Sequence, residues 1–445
     1  MRWIVLAAGV VFLLGTGPPP ASDPPAEEWQ ALAERARSVA EGVARVRGVR
    51  LHAVPDLGRG GDEEHRLAAS RRAAAALTAE RFSARGRAWS DIGLGDPDSP
   101  RLLYEKLAAD LGGLAYDPLS RRVLVALGRL ADGDLAPEGA DADVDSLLLA
   151  TGVRPDEPVL AHALVHALDR ERAGRDYLRE STDATLAAAA WLEGEANLVA
   201  LLYLFEGLGV GRQVVEGKLD PGSALGGALV PPAIDRVPGA VGSFLDFVYR
   251  EGFAQASAAY SGGGWAAIDR AAASRGTTRD VLHPPAGSPV SFSIAPREGL
   301  PGFLLADSDS VGEQGILTLV SSGTGKDNLG LMAGDGWIAD LLCRFEPAEG
   351  ASTEGYTEWA VRLRSEQDAE ELEYGLRRAL ESRFPGREIS VPSPRVARLA
   401  GDGRVFTMER EGSDVRLRIV PESLDRRAMF QGGTSPLKKS NTRQK

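Results

Sequence analysis

Pro158-Val-Leu-Ala-His162-Ala-Leu-Val-His166-Ala-Leu168 is the stretch on which the reading of this chain turns. It is apolar apart from its two histidines. Pro158 suits the first turn of a helix, where a missing N–H costs nothing, and Asp156 and Glu157 suit that helix's positive end. Residues four apart on a helix share a face, so the rings of His162 and His166 can reach one metal ion. The residue after the first histidine is Ala163, so no carboxylate follows it to take a proton from metal-bound water. The stretch reads as a metal-binding frame that lacks a base. The bland alternative is two histidines packed in a core.

A metal needs a third ligand, and the next helical stretch offers Trp191-Leu-Glu-Gly-Glu-Ala-Asn197. Asp183 is placed to cap that helix, which should run through Phe205 and close at Gly207. One Glu from it would complete a two-His, one-carboxylate set, leaving a fourth position for water or a carbonyl. Glu193, Glu195 and, further on, Glu251 are the candidates. Gly194 would let two helices approach closely. Asn197, one turn after Glu193, is placed to orient it. His52 and His65 have no partner at ligand spacing and read as surface or structural residues.

The 445 residues suffice for two or three domains. A net charge of −12 argues against a nucleic-acid partner and for an acidic soluble protein. Met1-Arg2, an apolar run from Trp3 to Leu14 and a small-residue stretch after it describe a secretory signal peptide. The run is short for a transmembrane helix, so no stable span is expected once the signal is removed; the alternative is an uncleaved anchor. The single cysteine, Cys343, cannot form an internal disulfide, and its apolar surroundings suggest that it is packed. Periplasm, cell envelope or secretion is the expected location.

The pattern divides into a signal and linker (1–22), an N-terminal helical region (23–100), a mainly helical part (101–300), a smaller α+β part (301–425) and a basic, disordered tail (426–445). Strands are expected over Val49–Val54, around the Asp117-Pro118 turn, over Val123–Leu127, Ile316–Val320, Trp337–Phe345 and Trp359–Leu363. A hairpin is expected around Glu411-Gly-Ser. Helices are expected over Ser243–Tyr260 and Asp368–Arg383, with Gly262-Gly-Gly ending the first. Residues 133–145 and Ser322–Asp327 read as loops. The fold class is α+β, mainly helical.

Several segments, in order, resemble exported bacterial zinc-metallopeptidase-like proteins, whose metal helix reads H-E-L-x-H-A-L-Q-D-Q. Through them the chain is similar to the gluzincins, which carry an H-E-x-x-H helix and a downstream Glu ligand. Leu114-Ala-Tyr-Asp-Pro-Leu-Ser-Arg-Arg-Val-Leu-Val resembles the family's strand-turn-strand before the site. Ala161-His-Ala-Leu-Val-His-Ala-Leu resembles the metal helix, and Leu192-Glu-Gly-Glu-Ala-Asn-Leu-Val its E-G-E-A helix. Gly263-Gly-Trp and Thr277-Thr-Arg-Asp-Val-Leu-His-Pro resemble two later elements. Leu304–Leu319 and Gly334-Asp-Gly-Trp resemble the C-terminal part.

The resemblance implies a zincin-like domain holding one zinc ion on His162, His166 and Glu193. It also implies a place near the metal for His283. The general-base role falls on Ala163 and has no owner. Asp169-Arg-Glu and Pro285-Ala-Gly depart from the family as well. Base catalysis contributes about 10²–10⁴-fold, so a peptidase without it is impaired or inactive. Asp169 lies roughly 10 Å further along the helix axis, too far to substitute directly. The expectation is a pseudoenzyme that binds a peptide or protein in the envelope. The alternative is an active zinc peptidase with a relocated base.

Overall fold

The computed structural model describes residues 26–428 apart from 50–53, 61, 110–113, 118–119, 127–153, 155, 174–176, 208, 210–236, 238, 275, 284–293, 297, 349–353 and 394. The leader, His52, the loop expected at 133–145 and residues 429–445 of the basic tail lie outside the described residues, whereas 426–428, expected as disordered, end a helix. The helices are α1 (Ala26–Arg47), α2 (Asp62–Ala76), α3 (Ala79–Ile92), α4 (Ser99–Ala108), α5 (Asp156–Ala173), α6 (Thr182–Gly207), α7 (Gly239–Asp246), α8 (Gly252–Ser274), α9 (Thr278–Leu282), α10 (Gly312–Thr324), α11 (Asp327–Gly334), α12 (Glu366–Arg383) and α13 (Glu422–Ala428). A π-turn, Phe247–Glu251, joins α7 to α8. The strands are β1 (Asp56–Gly60), β2 (Leu114–Asp117), β3 (Arg122–Ala126), β4 (Phe303–Asp309), β5 (Trp337–Pro347), β6 (Tyr356–Leu363), β7 (Ser390–Ser393), β8 (Val396–Gly401), β9 (Arg404–Glu411) and β10 (Asp414–Pro421).

The class is α+β. A small sheet, β1-β3-β2, has one parallel and one antiparallel pairing. The large sheet runs β4-β5-β6-β10-β9-β8-β7, antiparallel throughout. Its inner face carries Leu342, Trp359, Val361, Leu417, Phe406 and Met408 at alternate positions, the period of two that a one-sided strand requires. Those side chains join one cluster with Trp89 of α3, Leu186 and Ala190 of α6, Phe244 of α7 and Leu372 of α12. The apolar core therefore runs unbroken across the boundary expected at residue 301.

Helix α6 is the axis of the molecule. Its N-terminal half belongs to the core just described. Ala196, Val199 and Ala200 pack with α1, α5 and the small sheet, while Leu198, Leu201 and Phe205 pack with α8. It is long and apolar enough to cross a membrane, yet 89% of that span is buried inside the protein; an all-round apolar helix is also what a central core position demands.

Several local expectations change. Asp183 does not cap α6: its Oδ1 accepts from Thr278 N (2.8 Å) and Thr278 Oγ1 (2.6 Å). The start of α6 is held instead by Asp309 at the end of β4, which accepts from Thr182 N and Thr182 Oγ1, both at 2.8 Å. The run Ile316–Val320, expected as a strand, lies inside α10. Ile316, Leu319 and Val320 fall on one helical face and bury it, a spacing that a five-residue apolar run cannot distinguish from a strand. The N-terminal strand is β1, beyond the expected Val49–Val54, of which 50–53 lie outside the described residues. The glycine break is present as a kink within α8, at Gly263 and at Gly264, whose φ of 61° suits glycine. Ser322–Thr324 end α10, and Asp327 starts α11. The hairpin at Gly412 and the strands β5 and β6 lie where the alternation places them.

Candidate metal centre

Helix α5 carries both histidines on a segment, Val159–Leu168, that is buried all round. It packs between α1, the small sheet and α6. Across it, α6 presents Glu193. The ring of His162 has its Nε2 3.2 Å from His166 Nε2 and 3.2 Å from Glu193 Oε2. His166 Nε2 lies 3.5 Å from Glu193 Oε1. Among the described residues this trio is the group of His, Cys, Asp and Glu able to hold a metal ion.

The spacing is compatible with one ion. Bonds of about 2.0–2.1 Å to a tetrahedral ion place neighbouring ligand atoms about 3.3 Å apart; the two ring nitrogens are 3.2 Å apart, and each lies within 3.5 Å of a different oxygen of Glu193. The two Nε2 atoms face each other, so at most one can carry a proton between them. Glu193 Oε2 is fully buried and, beyond its 3.2 Å approach to His162 Nε2, meets no hydrogen-bond donor among the described residues, which is costly for a carboxylate oxygen unless a cation satisfies it. Burial alone would raise the Glu193 carboxyl, yet the two imidazoles outweigh it and hold it well below its ordinary range. Two imidazoles and one carboxylate are a donor set that zinc accepts.

Asn197 does something other than orient Glu193. Its Oδ1 lies 3.0 Å from His162 Nδ1. An Nδ1–H donated to that oxygen leaves Nε2 as the bare nitrogen facing Glu193, the tautomer a metal requires. The one-turn spacing assigns Asn197 to the acid, whereas the structure has its oxygen on the ring of His162. The ring of Tyr177 stands 6.3 Å from that of His166, centroid to centroid, while its hydroxyl donates to Leu107 O at 2.7 Å.

Glu195 belongs to another structure. It accepts from Arg47 Nε at 2.5 Å, and Arg47 Nη2 donates to Asp269 at 2.7 Å. This buried bridge ties α1 to α6 and α8, 148 residues separating its first pair; nothing in the spacing of charges announces it. Trp265 supports it by lying under the Arg47 guanidinium, 4.5 Å away, and donating to Val46 O. Gly194 makes its close approach to the start of α8 and not to α5. A Cβ there would stand 2.2 Å from Gly252 O.

The remaining candidates lie elsewhere. Glu251 sits in the π-turn, outside the trio. His65 lies beside Gly60. His283 follows α9, is 44% exposed, and bonds Glu313 through Nε2 at 2.6 Å. Burial pushes Glu313 up to about 7, against the pull of His283 and Arg279. Asp169 is buried on α5 and is not a member of the trio. Ala163 is 1% exposed, inside the cluster shared by α1, α5 and the small sheet. Cys343 is buried on β5, and burial pushes its thiol up to about 12. Comparison with protein families, with curated proteins and with solved structures gives no match.

Proposed function

We propose that this chain is an exported, zincin-like zinc protein of metallopeptidase descent that has lost peptidase turnover and serves as a binding or accessory protein of the envelope. The observation that carries this reading is the trio of His162, His166 and Glu193, taken with the sequence fact that Ala163 follows His162 where the resembling family has its base. His162, His166 and Glu193 would hold the ion, with Asn197 fixing the His162 tautomer. Bound there, zinc would supply Lewis acidity toward a carbonyl or water. Among the described residues the group able to hold the ion contains one carboxylate, that of Glu193, which serves as a ligand. The rings of His162 and His166 are each 9% exposed, which supports slow exchange with solvent over rapid turnover. The ligand expected is a peptide or protein segment whose carbonyl or carboxylate reaches the ion.

Metal analysis of the purified chain tests the reading. One zinc per chain is expected, lost in His162→Ala and in Glu193→Ala; a metal-free wild type that shows no zinc uptake overturns it. Peptide hydrolysis separates descent from activity. The wild type should leave a peptide library intact, and Ala163→Glu should raise chelator-sensitive cleavage by about 10²-fold or more, the share a general base contributes. Cleavage by the wild type would instead mark a working enzyme.

A further inference from the structure

The face of the large sheet opposite Trp359 and Leu417, beside α13, carries a pocket of about 230 Å³. Its apolar surface comes from Leu341, Ala360 and Val420 of the sheet and from Pro296 and Leu300 of the segment that crosses it. Charged residues line the same pocket. Most are paired: Arg418 Nε donates to Glu358 at 2.7 Å, and Arg398 bonds Asp425. Arg416 on β10 and Glu409 on β9 are different. They face each other in register and both line the pocket. Neither takes part in a hydrogen bond or ion pair of its side chain among the described residues.

Two opposite charges on neighbouring strands normally close on each other, because directly facing opposite charges stabilise a strand pair. Here they stand apart over an apolar surface. A guanidinium offers a carboxylate two parallel N–H donors, and a carboxylate accepts from an ammonium. The volume lies below the range of drug-sized ligand sites, which limits the occupant to something small. We propose that this pocket binds a free α-amino acid with an apolar side chain, its carboxylate on Arg416, its ammonium on Glu409 and its side chain against Leu341, Ala360 and Val420.

The test is calorimetric titration of the full chain with L-leucine and L-phenylalanine, each beside its N-acetyl and its amide derivative. Saturable binding of a free amino acid is expected, weakened tenfold or more when either charge is blocked. Arg416→Gln and Glu409→Gln should each cost a similar factor, and a chain with His162→Ala should bind unchanged, which separates this site from the metal centre. Alkylation of Cys343, which also lines the pocket, should slow when the amino acid is present. The proposal fails if no apolar amino acid binds at millimolar concentration. It fails equally if the blocked derivatives bind as well as the free ones, a result that stands even should the variants not fold.

Discussion

At the scale of single residues, the candidate centre depends on what holds its three donors in place. Asn197 holds His162 by one hydrogen bond. Partners of this kind typically account for 10–100-fold in metal affinity. Asn197→Ala should therefore weaken zinc by that factor in a chelator competition, while Asn197→Asp, which keeps the acceptor, should not. An unchanged affinity in Asn197→Ala would remove Asn197 from the centre. Arg47 is a residue of a different kind. Its guanidinium and the Glu195 carboxylate are both 1% exposed, so removing one strands a buried charge. Arg47→Ala should cost about 3–5 kcal/mol in denaturant unfolding. A loss below 1 kcal/mol would mean that water reaches Glu195.

Between elements, contact distance sets the arrangement. Helix α6 meets the start of α8 through paired glycines: a Cβ on Gly194 would meet Gly252 O at 2.2 Å, and one on Gly252 would meet Ala190 O at 2.1 Å. Backbone cannot yield as a flexible side chain does, so Gly194→Ala should destabilise by roughly 1–3 kcal/mol or more. It should also lower zinc affinity, because Glu193 is the next residue. Gly262, in the same α8, meets nothing within 4 Å. Gly262→Ala should be neutral or stabilise by up to about 1 kcal/mol. Equal thermal shifts for the two variants would show that the helix contact is looser than described. Periodicity revealed most of these elements, since α12, β5, β6 and the β9–β10 hairpin all show clean 3.6 or 2 repeats. It failed at Ile316–Val320, where five apolar residues satisfy both repeats and burial against α12 and the sheet selects the helix.

For the whole molecule, the main cluster joins α3, α6 and the large sheet, so heat should unfold these parts in one transition. The joint also titrates. Asp183 is wholly buried between α6, α9 and α10, and burial pushes its carboxyl up to about 8 against two bonds from Thr278. Its folded value lies above the ordinary 3.8, so the folded chain binds the extra proton between about pH 4 and 8. That contribution to stability is complete below pH 4 and is lost as pH rises through 8. Glu313, raised to about 7, acts in the same direction. The melting temperature should accordingly fall from pH 5 to pH 8.5. Asp183→Asn, whose Oδ1 can keep both Thr278 bonds, should flatten that slope. An unaltered slope in the variant would exclude Asp183 as its source.

The sequence by itself determined the α+β class, the positions of most helices and strands, the two histidines on one helical face and the apolar residue, Ala163, that follows the first of them. These are local properties, set by residue type and by repeats of a few residues. Residue spacing left Glu193, Glu195 and Glu251 open and only the resemblance pointed to Glu193; that Glu193 faces the histidines, and what Asn197, Glu195 and Asp183 each bond, rests on the tertiary structure. Glu193 and Glu195 are two residues apart on one helix, and their different fates follow from where α5 and Arg47 lie around α6. That placement is fixed by the core packed along α6 and by the Gly194–Gly252 contact. Packing acts between residues far apart in the chain, and no short-range pattern encodes which of them will meet.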